Sequence, residues 1–346
     1  MTRYSSAGRF GIADQETRNN TQRGKSKQMP GATAPHVTIE NYVRAETDFQ
    51  FGGYIAKLDC FGRLVHYRAP YDVHNQVTVS GNLDTLYSFG VFDLASPLTV
   101  RLADAGDRYH SLMTVNQDHS MEVAYSPTEI TLTAESVGTR YVMVAVRTFA
   151  DPADEADMRV AHALQDQISV EQAESGVFDV PAWDQHEVEN MRRAVNVVGA
   201  AVTDSSKMFG RKDELDPIYW RLGAAIGWGG LPAVAATYAF TTPDRNDGET
   251  PYTLRVADVP VDAFWSVTVY DSERWIPIND LDAYSYNGIT AEHDDDGSAT
   301  IHFGGDPDQP NYLPIVPGWC YIFRAYRPRE EILDGSWSFP QPEAVD

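Results

Sequence analysis

Two short stretches gather most of the side chains that could do chemistry. In GNLDTLYSFG, Gly81 to Gly90, the polar residues Asn82, Asp84, Thr85, Tyr87 and Ser88 crowd among apolar ones. In RYHSLMTVNQDHS, His110 is followed by Asn116, Gln117, Asp118 and His119. A carboxylate beside an imidazole is the pairing that orients a histidine for proton transfer. An acid–base set of hydrolase type follows: His110 or His119 as base, Asp84 or Asp118 to orient it, and Tyr87 as donor to a developing oxyanion. Arg147, which closes the apolar run RYVMVAVR, and Arg324 in CYIFRAYRP have the fork geometry to hold an anionic group of a substrate. Each of these has a structural alternative. Asn82 and Asp84 could close a tight corner, Asp118 could cap a turn beside an exposed His119, and either arginine could be paired inside a sandwich. The sequence leaves these alternatives open. It equally leaves open a non-catalytic ligand-binding or assembly protein in place of an enzyme acting on a small organic molecule.

Familiar catalytic and metal motifs fail on spacing. HDDDG begins like a calcium loop, but counting from Glu292 the final ligand position holds Phe303. QHEVEN puts Asn190 where a zinc helix needs its second histidine. There is no G-x-S-x-G elbow, phosphate loop or dinucleotide fingerprint. The nine histidines show no ligand spacing, so neither metal nor cofactor is expected.

These residues need elements to position them. VTIENYVRAETDFQFGGYIAKL predicts a helix, with Gly52-Gly53 ending or kinking it. From about Val77 to Thr148 the stretches QVTVS, YSFGVFDL, LTVRLA, RYHSLMTV, MEVAYS, EITLTAE and RYVMVAVRTF read as short antiparallel strands. Alternation sends Tyr109, Ser111 and Met113 to one face and His110, Leu112 and Thr114 to the other. DPADEADMRVAHALQDQISVEQAE then reads as helix, with Asp151 as N-cap and Pro152 at the first helical position. DQHEVENMRRAVNVVGAAVTDSSKMF and DPIYWRLGAAIGWGGLP are two further helical pieces. Strands return with ATYAFTTPD, YTLRVAD, FWSVTVYDS, ATIHFGG and WCYIFRAYRP, FWSVTVYDS alternating like a half-buried strand and HDDDG making a hairpin turn. The expected fold is mainly β with a helical insert: an N-terminal immunoglobulin-like antiparallel sandwich over 37–151 with a leading helix, a helical segment over 152–232, and a C-terminal jelly-roll-like sandwich over 233–346. Residues 1–36, polar and without the apolar core of a signal peptide, read as a disordered or subunit-draping tail. That tail suggests a homo-oligomer, and the leader's absence a cytoplasmic protein.

The 346 residues carry a formal charge of −23, and 22 of the 27 basic residues are arginine. Such an acidic chain repels nucleic acid and anionic lipid. No run of about 18 apolar residues occurs, so no membrane span is expected. Two cysteines, Cys60 and Cys320, lie too far apart for a metal motif and read as buried free thiols.

GNLDTLYSFGVFDL followed by DRYHSLMTVNQDH resembles the bacterial domain of unknown function 1254. FWSVTVYDSERWIPINDLDAYSYN, DDDGSATIHFGG and NYLPIVPGWCYIFRAYRPREEILDGSW resemble its usual C-terminal partner, the domain of unknown function 1214. The N-x-D-T-x-Y-S motif is the most specific part. The resemblance implies a sandwich, a helical middle and a jelly-roll domain, and carries no catalytic residue. Arg324 and Tyr326 match motif positions of the second domain. Tyr312 stands where that domain usually has Trp; if this aromatic stacks on a ligand, specificity would differ. Asn82, Arg147, Tyr312, Arg324 and Tyr326 are therefore the candidate substrate-binding residues, in a pocket between the sandwich and the helical or jelly-roll parts.

Overall fold

The computed structural model describes residues 34–345 apart from Val77 and Thr203. Most of the tail read at 1–36 lies outside the described residues. At its end, the Glu187 carboxylate holds His36 Nδ1 and the Val37 N–H, each at 2.8 Å.

In chain order the first part comprises α1 (Tyr42–Leu58), β1 (Val65–His66), β2 (Thr85–Asp93), β3 (Leu98–Leu102), β4 (His110–Asn116), β5 (Met121–Tyr125), β6 (Thr128–Leu132), α2 (Ala134–Val137) and β7 (Tyr141–Phe149). The middle holds α3 (Glu155–Asp166), β8 (Ser169–Gln172), α4 (Gln185–Gly199) and α5 (Pro217–Ile226). The last part holds β9 (Ala236–Thr241), β10 (Tyr252–Val256), β11 (Trp265–Tyr270), β12 (Ser285–Asn287), β13 (Ala299–Phe303), β14 (Tyr312–Leu313), β15 (Cys320–Tyr326), α6 (Glu330–Leu333) and β16 (Glu343–Ala344). The pairing is antiparallel except between β13 and β14 and at an isolated bridge from Phe61 to Val91, so the mainly antiparallel architecture with helices between two β regions is the one observed.

The first sandwich packs the sheet β1-β2-β7-β4-β5 on β6-β3-β8. Phe92, Leu98, Leu112, Val144 and Val146 fill the space between. The outer face of the larger sheet is not solvated. Helix α1 packs on it, with α4 and α5 against α1, and Phe51, Tyr54, Met143, Ala145 and Trp228 join one core there. A strand buried on both faces reads as a continuous apolar run, and β7, YVMVAVRTF, is buried at every position. The second sandwich packs β14-β13-β10-β16 on β12-β11-β15-β9 around Leu254, Val267, Ile301, Phe303 and Trp319.

Several local expectations need correction. QVTVS is not a strand: Thr78–Ser80 is a turn, Val77 lies outside the described residues, and the Tyr71 hydroxyl donates to the Thr78 carbonyl at 2.6 Å. Helix α1 runs through Gly52-Gly53 to Leu58. Each glycine costs about 1 kcal/mol against alanine, but Phe51 and Tyr54 on either side are buried and hold the helix to the sheet. Asp154, not Asp151, caps α3, accepting from the Ala156 N–H. That helix stops at Asp166, because ISVEQ alternates: Ile168 and Val170 point into the sandwich core and β8 pairs with β3. HDDDG turns tightly, with Gly297 at φ +83°, but leads into β13 from a segment that is not a strand.

Candidate functional site

The alternation in FWSVTVY decides what the second sandwich presents outward. Trp265, Val267 and Val269 enter its core. Ser266, Thr268 and Tyr270 therefore lie on the opposite face, yet all are buried. The corner Ser80–Asp84 of the first domain covers them. Ser266 Oγ donates to Asp84 Oδ2 at 2.7 Å, and the Tyr326 hydroxyl donates to the same oxygen at 3.1 Å. The Tyr270 hydroxyl donates to the Gly81 carbonyl at 2.6 Å. Gly81 must be glycine, because a Cβ there would lie 2.4 Å from the Tyr71 ring. Asn82 Oδ1 accepts from the Asp84 N–H at 2.8 Å, and its amide nitrogen donates to the Tyr87 hydroxyl at 3.0 Å.

Register brings the rest together. In the first sheet Tyr87, Arg147 and Ser111 stand side by side across β2, β7 and β4. In the second, Tyr238, Arg324 and Ser266 do the same across β9, β15 and β11. Each sheet thus carries an arginine on a central strand between a tyrosine and a serine. Between these two rows lies a cavity of about 560 Å³ lined by Tyr87, Arg147, Tyr238, Arg324 and Tyr326. Phe209 and Leu231 from the helical region and Ile332 and Phe339 after β15 supply apolar wall. Asp204 and Asp334 also reach it, but each spends a carboxylate oxygen on a nearby N–H, of Ser206 and Ser336.

The two arginines are held differently. Arg324 Nη1 donates to Thr268 Oγ1 at 3.0 Å, and its Nη2 donates to the Ser80 and Gly81 carbonyls at 3.1 and 3.2 Å and to the Tyr270 hydroxyl at 2.5 Å. The Asp84 carboxylate nearby favours its charge without a direct ion pair. Burial nonetheless pushes the Asp84 carboxyl up, against the opposing pull of Arg324 and the two hydroxyls. Arg147 is only 3% exposed and, among the described residues, has no carboxylate within ion-pair distance. Its guanidinium contacts Met113 Sδ at 4.0 Å and the Tyr87 hydroxyl, and its guanidinium carbon sits 5.3 Å from the centre of the Tyr87 ring. Burial works against its charge, while Tyr87, Tyr109 and Tyr238 around it favour that charge and hold its pKa above the ordinary arginine value.

Of the residues singled out in sequence, Asn82, Tyr87, Arg147, Arg324 and Tyr326 line this cavity, and Asp84 stands directly behind Tyr326. The structure does not bring His110, His119, Asp118 or Tyr312 into the lining. His110 sits on the sandwich-core face of β4, opposite Ser111, with Nδ1 3.0 Å from Thr148 Oγ1. His119 is fully buried at φ +55°, its ring 5.8 Å from that of Trp228. Its Nε2 accepts from the Gly229 N–H at 3.0 Å, so its proton is on Nδ1. Asp118 does not orient it; that carboxylate pairs with Arg44 at 2.5 Å and Lys212 at 3.2 Å. Tyr312 belongs to β14 in the far sheet of the second sandwich. Tyr238, Phe209 and Leu231 were missed. Only the pairing of β9 with β15 puts Tyr238 beside Arg324, and short sequence windows do not carry that signal.

The two histidines have a consequence for stability. Burial pushes the pKa of His110 down to about 4 and that of His119 down to about 3. Both stay neutral in the folded chain but take up protons near pH 6.5 when unfolded. Their stabilisation is complete above pH 6.5 and falls as the pH drops toward 4, by up to about 1.4 kcal/mol per pH unit for each. The unfolding midpoint in urea is therefore expected to drop between pH 6.5 and 5. In His110→Asn, whose amide can keep the Thr148 contact, that slope should fall by roughly half. An unchanged slope would assign the acid sensitivity elsewhere.

Cys60 and Cys320 are free thiols, the first buried, and burial pushes both up to about 11. Among the described residues no three His, Cys, Asp or Glu side chains cluster as a metal site would need, and no helix is long and apolar enough to cross a membrane.

Comparison with known proteins fits this geometry to two families. Residues 61–131 match the model of a protein of unknown function, DUF1254, and residues 235–330 match that of another, DUF1214. The first contains the Asn82–Tyr87 corner, the second the Tyr238 and Arg324 row. No curated protein matches the chain in sequence. The fold is similar to the crystal structure of the VPA0106 protein from Vibrio parahaemolyticus, at 18% identity and a TM-score of 0.67, over 88% of this chain and 98% of that one. An uncharacterized protein from Burkholderia cenocepacia matches at 13% identity and a TM-score of 0.48, over 89% of this chain and 87% of that one.

Proposed function

We propose that this protein, which carries a DUF1254 domain followed by a DUF1214 domain, binds a small organic anion in the cavity between its two sandwiches. The observation that carries this reading is Arg147. A buried guanidinium offers five N–H donors, and leaving its charge without a counter-charge costs several kcal/mol. Arg324 has the Asp84 carboxylate nearby and four oxygen acceptors, whereas Arg147 has neither a carboxylate within ion-pair distance nor a carbonyl among its partners in the described residues. A carboxylate on Arg147 would supply the missing partner in a two-point, charge-assisted contact. The aromatic and aliphatic walls suit an apolar body, as small-molecule pockets generally do. Strand alternation and Asp118's own ion pairs leave His110 and His119 outside the cavity, so a hydrolase built on them has no geometric support. Binding is the function this arrangement favours.

Isothermal titration of phenylacetate against its neutral amide, phenylacetamide, tests the reading. Phenylacetate is expected to bind with a Kd of about 1 mM or below, as its ten heavy atoms allow. Phenylacetamide, which has lost the charge, should bind at least about tenfold more weakly. Equal binding of the two would remove the anion from the account.

A further inference from the structure

The hydrogen bonds behind the cavity wall assign donor and acceptor roles to the tyrosines that line it. Asn82 Oδ1 accepts from the Asp84 N–H, which fixes the amide orientation, and its nitrogen donates to the Tyr87 hydroxyl. The Tyr87 oxygen is therefore engaged as an acceptor, and its own proton is free to donate. Arg147 beside it has only donors. Tyr87 and Arg147 together therefore present O–H and N–H donors.

Tyr326 is wired the opposite way. Its hydroxyl proton goes to Asp84 Oδ2, an oxygen that also accepts from Ser266. Two donors on one carboxylate oxygen leave no place there for a carboxyl proton, so Tyr326 keeps the donor role whichever way Asp84 titrates. What Tyr326 has left is a lone pair. Its ring is fixed by stacking on Phe264, 4.3 Å between centres, and by Tyr109, 5.4 Å away, which is also one of the tyrosines surrounding Arg147. The acceptor and the donor cluster thus belong to opposite sheets and share a neighbour.

We infer that the ligand is an organic acid that also carries a hydrogen-bond donor, a hydroxy or amino acid, its carboxylate on Arg147 and Tyr87 and its hydroxyl or amine on Tyr326. This rests on the anion reading above and narrows it. Asp84, which makes no contact with the cavity, acts as a positioning residue that holds the Tyr326 proton out of the way.

Titration of the full chain with phenylacetate, mandelate and 4-hydroxyphenylacetate tests it, since the hydroxyl is near the carboxylate in mandelate and remote in 4-hydroxyphenylacetate. At least one hydroxy acid is expected to bind about tenfold or more tighter than phenylacetate, as one well-made hydrogen bond gives. Its O-methyl ether, which keeps the oxygen and loses the proton, should forfeit that gain without any change in the protein. In Tyr326→Phe the ratio of hydroxy-acid to phenylacetate affinity should shrink to within about twofold. No preference for either hydroxy acid in the wild type, ethers that bind as tightly as the hydroxy acids, or a preference that survives in Tyr326→Phe would each overturn the inference while leaving the anion reading intact. Phenylacetate bound as tightly by Arg147→Met as by the wild type would instead overturn the anion reading, and this inference with it.

Discussion

Replacing Arg147 with Met is expected to raise the stability of the ligand-free protein by about 1–4 kcal/mol, whereas Arg324→Met lowers it by about 3–5 kcal/mol. The two side chains are chemically identical, both are buried, and each stands mid-sheet between a tyrosine and a serine. Their partners differ. Arg324 satisfies two backbone carbonyls and two hydroxyls and faces Asp84, so its loss orphans several buried groups at once. Arg147 has a thioether contact, the Tyr87 hydroxyl and an aromatic face but no carboxylate, and a Met of similar length removes a buried charge that has no counter-charge while keeping apolar volume. Urea denaturation of the purified apo proteins reads both effects. A fall in both variants would mean that Arg147 is a structural group with a partner, and would take the binding site with it.

The second large effect is at Asp84. Asp84→Ala is expected to cost about 3–5 kcal/mol, because Ser266 and Tyr326 lose their common acceptor and Arg324 loses its counter-charge. Asp84→Asn keeps an oxygen for the hydroxyls and should cost less. Combining Asp84→Asn with Arg324→Met removes both charges of the pair. The double variant should then be more stable than the sum of the single losses implies, by about 1–3 kcal/mol, as coupled buried neighbours are. Additive losses would show that the two charges do not balance one another.

How much of this was legible in the sequence depended on how local each signal was. Strands β3 to β7 and helices α4 and α5 were legible in short windows, as alternation, an unbroken apolar run in β7 and helical spacing. The Asn82–Asp84 corner was one of two open readings, and its bonds, which span five residues or fewer, are local enough for a short window to suggest. FWSVTVYDS was misread as half-exposed because the burial of its polar face comes from a corner nearly two hundred positions earlier. Asp118 and His119 misled for the reverse reason. Neighbours in a turn need not share a direction, and one side chain reaches Arg44 while the other is sealed against Trp228. The facing Tyr–Arg–Ser rows exist only through register between strands far apart in the chain, which periodicity does not specify.

The account rests on one unmatched guanidinium, and titration of phenylacetate into the wild type and Arg147→Met, both checked for folding, addresses it most directly. The prediction is measurable binding to the wild type and at least about tenfold weaker binding to the variant, since the charge-assisted fork is gone. Equal affinities in the two proteins would contradict it.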